Sequence, residues 1–559
     1  MNDLPVTLDQ LTARLESLEQ RVDQLEHPES AVTKPAAPFA HPSGDAPSTI
    51  QTAGFFAIAG RAMLGIAGAY VLRAVAESSA LPRIAVAVLA IAYALTWMVW
   101  AARAKAGAFP SVIYASTSAL ILAPMLWELT LRFGVLSPSA AAAILAVFVL
   151  AATALAWQRN VSTLFWIADL TAAIAALALS IATRRFIPFL AVLLLMAFVA
   201  EVASACKRAY TLRPFVAAAV DLTIWVYFFI YSGPSSARVD YPAPSAASLL
   251  TPACLLFVLY AASIAIRTVM LRHTISVFET IQSAASFALA AFSLLTFTPQ
   301  SGSILLGSVC LFLAAASYAL VYIVAHRSDA DCNQQVFATF ATAFLTIGGL
   351  LCLPPISLAL TLSLAAFAAT FLGVRLNRAS GQVHGLLLLV TAAIASGLLD
   401  YDLHSLAGTL PNTLSIAACI AAVFSLACYA AARPLLGETR LRQSLRLIPA
   451  ALAACTLAAL LVQAVLALVA LRIVPGVHHI AFLRTFSLCA VALALAYAGV
   501  RTRRPELTQI TYAALAFVGA KLIFEDLRHG HFEFIAASIF LFAISLMIVP
   551  RLPRMGQTI

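Results

Sequence analysis

The chain has 559 residues, of which 62% are hydrophobic and only 10% charged, and its formal net charge is +10 at pH 7. Soluble domains carry about 25% charged residues, so this composition excludes a soluble protein and predicts a polytopic membrane protein. We attribute the excess of Lys and Arg to basic loops at a membrane surface. The expected partners are therefore membrane lipids, and no nucleic-acid partner is expected.

The first predicted element is a short cytoplasmic coiled-coil segment at residues 1–28. Apolar residues recur there with heptad spacing at Leu8, Leu11, Leu15, Leu18, Val22 and Leu25. The flanking g and e positions carry opposite charges, as at Arg14 and Glu19, which favours a parallel partner. A helix of this length is not stable alone. The pattern therefore predicts a homo-oligomer through residues 8–26, and a solvated amphipathic helix is the alternative.

Residues 29–50 are rich in Pro, Ala and Ser and predict a flexible linker. Residues 51–551 then form a transmembrane domain, in which one apolar segment follows another at about the 20 residues that cross a bilayer. We predict about 18 spans, at residues 54–76, 83–103, 109–131, 138–157, 161–183, 186–206, 212–232, 248–267, 275–297, 303–325, 335–353, 356–374, 383–399, 413–432, 447–471, 479–500, 507–526 and 533–550. The predicted fold is thus all-α, a polytopic transmembrane helical bundle with a tail at residues 552–559.

The basic residues predict the orientation of these spans. With the N-terminus in the cytoplasm, 21 Lys and Arg residues near span ends fall on the inner side and nine on the outer side. Cytoplasmic loops are enriched in Lys and Arg. We therefore predict a multi-pass protein of a bacterial cytoplasmic membrane, with both termini in the cytoplasm.

The sequence contains no enzyme motif in a suitable context. It has no Walker loop, HExxH, GxSxG or Gly-rich dinucleotide turn, and its longest loop, residues 233–247, has no room for a domain. The nine cysteines occur singly, without a CxxC pair, so a zinc site is not expected. We therefore predict no catalytic residue, no metal site and no cofactor, and we favour a protein that is not an enzyme.

Three ionisable residues fall well inside predicted spans. Arg61, Asp169 and Asp221 each lie about 12–15 Å from the cytoplasmic end of an outward-running span. A charge at this depth costs roughly 2.5–3.5 kcal/mol on insertion scales, and ion pairing lowers that cost. The shared depth predicts an intramembrane charge cluster. Its functional interpretation is a proton or ion relay, or a binding site for an anionic headgroup. The alternative is a structural link between helices, or side chains that extend to the inner surface.

A second candidate cluster lies at the outer edge of the penultimate span. Lys521 is followed by Glu525 and Asp526, about one helical turn later. A Lys–Glu pair in this order is the less favourable one for a helix. The pair is therefore not expected to serve helix stability alone. Lys521 lies in the outer third of its span, so we expect it to reach toward the surface and Asp526 to meet another helix.

Three further acids, Glu128, Glu201 and Glu279, lie near the ends of predicted spans. Carboxylates at such positions can reach water. We interpret them as interfacial residues.

The C-terminal region carries the pattern Lys-x-x-Phe-x-Asp-Leu, followed by an apolar span and a basic tail, with the matching residues Lys521, Phe524, Asp526, Leu527 and Arg551. With the heptad start and the Pro-rich linker, this pattern resembles a large family of uncharacterised bacterial polytopic membrane proteins that carry a domain of unknown function. Where that family has an Arg before the last span and a Gly within it, this chain has the sequence FIA and an unbroken apolar run. The resemblance implies location and architecture and no mechanism.

These features favour a non-enzymatic integral protein with a scaffolding or envelope-related role. The alternative is a secondary transporter or lipid-handling carrier that uses the intramembrane charged residues.

Overall fold

The computed structural model describes residues 49–78, 82–104, 108–159, 162–206, 212–234, 240–299, 301–325, 331–407, 413–432, 440–472, 474, 476–529 and 531–552. The predicted coiled-coil segment lies outside these residues. So do the predicted linker and tail, apart from residues 49, 50 and 552.

The described residues are mainly helical. The helices are α1 (Thr49–Glu77), α2 (Arg83–Arg103), α3 (Ala108–Trp127), α4 (Pro138–Arg159), α5 (Ser162–Thr183), α6 (Phe186–Ala205), α7 (Arg213–Ser232), α8 (Ala246–Val269), α9 (Val277–Phe297), α10 (Gly302–Ala325), α11 (Asp331–Cys352), α12 (Pro355–Arg375), α13 (Ala379–Ala395), α14 (Leu398–Ala407), α15 (Ile416–Ala431), α16 (Arg440–Ala470), α17 (Val477–Thr502), α18 (Pro505–Lys521) and α19 (Phe532–Ile548). Short π-helical turns, Glu128–Arg132 and Leu522–Asp526, continue α3 and α18.

Within the described part of the chain, fourteen helices are long and apolar enough to cross a membrane. The chain is therefore an integral, multi-pass membrane protein built from α-helices, as predicted. Four other predicted spans coincide with helices outside this group. These are α1, the bent pair α13 and α14, and the shorter apolar helices α15 and α19. The prediction of about 18 spans thus remains a prediction.

The prediction of one continuous span at residues 383–399 is wrong, because two helices cover these residues. Helix α13 ends at Ala395, and the chain turns by 66° into α14. Gly397 makes this turn with a positive φ of 76°, a conformation that glycine adopts without a steric penalty. In α14, Tyr401, Asp402 and Ser405 are buried, whereas Asp400 is exposed.

The chain divides into two compact units between Val71 and Leu72. The described part of the first unit is α1 up to Val71, in which Arg61, Met63 and Leu64 are exposed. The second unit contains the helices that follow and both of the buried charge clusters considered below.

Small residues bring the helices of the second unit into close contact. A Cβ atom built on Gly348 in α11 would lie 2.8 Å from the carbonyl oxygen of Gly307 in α10. A Cβ atom on Gly381 in α13 would likewise lie 2.8 Å from the Cα atom of Gly373 in α12. Close backbone approach at small residues is the usual mode of helix association in membranes, where the lipid is as apolar as the side chains.

We predict that Gly348→Ala destabilises the protein, because backbone atoms of α10 cannot move aside as a side chain can. Overpacking of this kind costs about 1–3 kcal/mol, measurable as a lower melting temperature in detergent. Gly60→Ala is the control, since no atom lies within 4 Å of a Cβ at that position. Equal melting temperatures of the two variants would contradict the close packing of α10 and α11.

Candidate functional site

The residues singled out near the C-terminus form a buried charge cluster. Lys521 Nζ lies 2.5 Å from Asp526 Oδ1 and 3.5 Å from Glu525 Oε2. The side chains of Lys521 and Asp526 are almost completely buried, whereas Glu525 is partly exposed. Lys521 therefore does not reach the surface, and the prediction that it does so is wrong.

A π-helical turn explains why Lys521 meets the acid five residues later. In an α-helix, residues i and i+5 point in different directions, because successive residues are about 100° apart. Over Leu522–Asp526 the backbone widens, and the amide of Leu527 donates to the carbonyl of Leu522. This i to i+5 spacing is that of a π-helix. It brings Asp526 beneath Lys521.

Helix α17 completes the surroundings of this ion pair. Lys521 Nζ donates to the carbonyl of Ala481 at 2.8 Å and to Thr485 Oγ1 at 3.0 Å. The Thr485 hydroxyl donates to the second oxygen of Asp526 at 2.9 Å. Asp526 therefore contacts both its own helix and a neighbouring one.

Arg484 extends the cluster to α14. Its guanidinium contacts Glu525 at 2.8 Å and donates to the carbonyls of Ser405 and His404 at 2.8 and 3.0 Å. The last carbonyls of a helix have no partner within it, and a cation there is also favoured by the helix dipole. Arg484, Thr485, Lys521, Glu525 and Asp526 are called the Lys521 cluster below. It joins α14, α17 and α18.

A second buried cluster, which the sequence analysis missed, joins α6 to α9. Arg213 contacts Glu201 in bidentate fashion, with N–O distances of 2.5 and 2.6 Å, and reaches Glu279 at 2.9 Å. Arg267 also pairs with Glu279, and Ser263 donates to Glu201 at 2.5 Å. Glu201, Arg213, Arg267 and Glu279 are called the Arg213 cluster.

Glu201 and Glu279 are 4% and 3% exposed. Their interpretation as interfacial residues that reach water is therefore wrong. Each was assigned from its distance to a span end, and that distance does not reveal an arginine on a neighbouring helix. Arg213 and Arg267 lie near span ends, where the positive-inside pattern predicts cytoplasmic basic residues and gives no sign of a buried acidic partner. Glu279 also caps its own helix by accepting from the amide of Ser276, which a Ser-x-x-Glu sequence predicts.

A third buried ion pair joins α16 to α18. Arg446 Nε lies 3.3 Å from Glu506 Oε1, and both side chains are almost completely buried. This pair was not predicted, because a basic residue near a span end such as Arg446 is typical of a cytoplasmic loop.

The remaining predicted residues, Asp169, Asp221 and Arg61, lie on three different helices. Asp169 in α5 is 2% exposed, and its Oδ2 atom has no hydrogen-bond partner among the described residues. Asp221 in α7 accepts from the amide of Gln282 in α9 at 3.0 and 3.1 Å. Arg61 belongs to the first compact unit. Their proposed common cluster remains a prediction.

Comparison of the chain with models of known protein families, with curated proteins and with solved structures found no match. The resemblance carried by Lys521, Phe524, Asp526 and Leu527 therefore remains a prediction.

We predict that Lys521→Met destabilises the protein strongly. Removing one partner of a buried pair leaves an uncompensated charge, which costs about 3–5 kcal/mol, and the loss is measured as a lower melting temperature in detergent. Asp240→Asn is the control, because it breaks the exposed Arg184–Asp240 pair, and exposed pairs contribute only about 0–1 kcal/mol.

The double variant Lys521→Met/Asp526→Asn separates charge from packing. We expect it to regain most of the lost stability, because no unpaired charge remains. If the double variant is as unstable as Lys521→Met alone, the ion pair is not the cause.

Proposed function

We propose that this chain is a non-enzymatic scaffold of the bacterial cytoplasmic membrane, with an envelope-related role. The observation that carries this proposal is the internal pairing of the two buried clusters. In each of them, the cationic side chains contact acidic side chains of the same cluster. Such clusters hold helices in place and offer little to a substrate.

The charge balance supports this interpretation. The Arg213 cluster contains two arginines and two glutamates, and the Lys521 cluster contains Lys521 and Arg484 against Glu525 and Asp526. A site that takes up an ion must break or form such contacts. Opening a buried pair costs several kcal/mol, so balanced clusters favour a static role.

The position of each cluster supports it further. Glu201 and Arg267 lie in the last turns of α6 and α8, and Arg213 and Glu279 lie in the first turns of α7 and α9. The Arg213 cluster thus fastens four successive helices at one end. The Lys521 cluster fastens the last turns of α14 and α18 to the beginning of α17.

The proposal includes the predicted topology, with both termini in the cytoplasm, and self-association through residues 8–26. A cytoplasmic coiled coil on a rigid bundle would let a scaffold assemble copies of itself or dock a soluble partner. Membrane lipids are the other proposed partners.

The self-association is tested with Leu15→Cys, which places a thiol on the heptad seam. In membranes under oxidising conditions we expect disulfide-linked dimers, because a parallel partner sets the two Leu15 positions opposite each other. The control is Glu16→Cys, one residue off the seam, in the same native-cysteine background. Equal trapping by both variants, or a monomer by native mass measurement, would contradict the coiled coil.

The alternative function, a transporter or lipid-handling carrier, is favoured by one observation. Asp169 is buried, and one of its carboxylate oxygens has no hydrogen-bond partner within the described residues. Unsatisfied buried carboxyl groups are costly and mark proton relays in membrane transporters.

A flux measurement decides between the two functions. As a scaffold, the purified protein in liposomes should carry protons down an imposed pH gradient no faster than empty liposomes do, and Asp169→Asn should change nothing. Proton flux in the native protein that is lost in Asp169→Asn, with an unchanged melting temperature, would establish the carrier instead. Asp400→Asn is the control, since that acid is exposed.

A further inference from the structure

An apolar groove lies on the surface of the bundle between α7 and α9. Its volume is about 590 Å³. Its α7 wall begins at Asp221 and ends at Ser232, and its α9 wall is formed by Ala285, Ala288, Leu289 and Phe292. Leu222, Trp225 and Phe229 on its rim are each at least half exposed. In an integral membrane protein this surface faces lipid or another membrane-spanning segment.

One acid stands in this apolar surface, close to the middle of its helix. Asp221 is the ninth of the 20 residues of α7, so it lies about 12 Å from the first residue and about 16 Å from the last. The hydrocarbon core is about 30 Å thick. Asp221 therefore lies near the centre of the membrane, where a charge is most costly.

The carboxylate of Asp221 accepts hydrogen bonds from one donor and can accept more. A single amide nitrogen, Nε2 of the buried Gln282, donates to both of its oxygens. An ionised carboxylate has about four acceptor sites, so this single donor does not use all of them, and Asp221 lines the groove. Among the described residues, no cation lies within 4.0 Å of Asp221, in contrast to the acids of the Arg213 cluster.

We propose that this groove binds a transmembrane helix of another protein that carries a basic residue at mid-membrane depth. A cation would stabilise the charge of Asp221, and an apolar partner would pack against the surrounding aromatic side chains. A helix meets both needs at this depth, because a spanning segment satisfies its own backbone and can carry Lys or Arg inward when an acid is there to pair with it.

Other occupants fit the groove less well. A lipid amine sits in the headgroup region, outside the hydrocarbon core, and would have to be drawn about 12 Å inward to reach Asp221. A second copy of this chain that met the same groove by two-fold symmetry would place Asp221 opposite Asp221. The partner is therefore a different chain with a central cation. This inference rests on the proposed scaffold function and names its partner.

The test uses synthetic membrane-spanning helices of about 20 residues, composed of Leu and Ala. One peptide has Lys at its centre, and its match has Leu there. The full-length protein carries a photoreactive benzoylphenylalanine in place of Phe229 and is reconstituted with each biotinylated peptide in liposomes. We expect at least about tenfold more cross-linking of the Lys peptide, which corresponds to about 1.4 kcal/mol.

Two variants examine the groove itself. Asp221→Asn should remove the preference for the Lys peptide, and Asp400→Asn should preserve it. Ala288→Trp fills the groove without changing a charge and should block both peptides, whereas Ala315→Trp, at an exposed position of α10 outside the lining, should not. Melting temperatures identify any variant that fails to fold. If Asp221→Asn is one of them, the loss of both peptides in Ala288→Trp still tests whether the groove is the binding site.

Equal cross-linking of the two peptides, or a preference that survives Asp221→Asn, would overturn the proposal. Displacement of the Lys peptide by dodecylamine, in liposomes that remain sealed, would assign the groove to a cationic lipid and would also overturn it. Proton flux on the same liposomes tests the scaffold function separately. If the peptide does not bind and no proton flux is measured, only the docking proposal is rejected. If proton flux is measured and the peptide still binds, only the scaffold function is rejected.

Discussion

Hydrocarbon offers a charged side chain neither water nor a counter-ion, so a charge buried in this bundle is costly until the protein itself supplies a partner. That constraint is visible in the Arg213 cluster, where each arginine contacts a buried glutamate of another helix. It recurs where Lys521 meets Asp526 across a single π-helical turn. In both places the position of the helices is tied to the position of the charges, because separating the helices would leave the charges unpaired.

The packing of the bundle divides between two kinds of contact. Small residues such as Gly348 let helices approach closely along their length, and charged residues fix the order in which helix ends meet. Dispersion contacts between apolar helices discriminate little between one arrangement and another. Charge pairs discriminate strongly, since a wrong neighbour leaves a buried ion without its partner. A membrane bundle of Ala and Leu gains much of its uniqueness from these few polar contacts.

The helical, membrane-spanning character of the chain was predictable because it depends only on the length and hydropathy of each segment. The bend at Gly397 was not, since hydropathy does not report a positive φ. Nor was the Lys521–Asp526 pair, because α-helical geometry sets residues five apart about 140° away from each other and only the π-turn corrects this. The Arg213 cluster needed tertiary structure, as Arg213 and Glu279 are 66 positions apart in sequence.

The contact of Arg484 with α14 also bears on how the chain enters the membrane. The carbonyl of Ser405 accepts from the guanidinium of Arg484, which is synthesised 79 residues later. At a synthesis rate of about 5–20 residues per second, this interval lasts about 4 to 16 s. During that time the carbonyls of Ser405 and His404 lack the guanidinium that contacts them in the folded protein. The C-terminal end of α14 therefore gains its capping contact only after α17 has been synthesised.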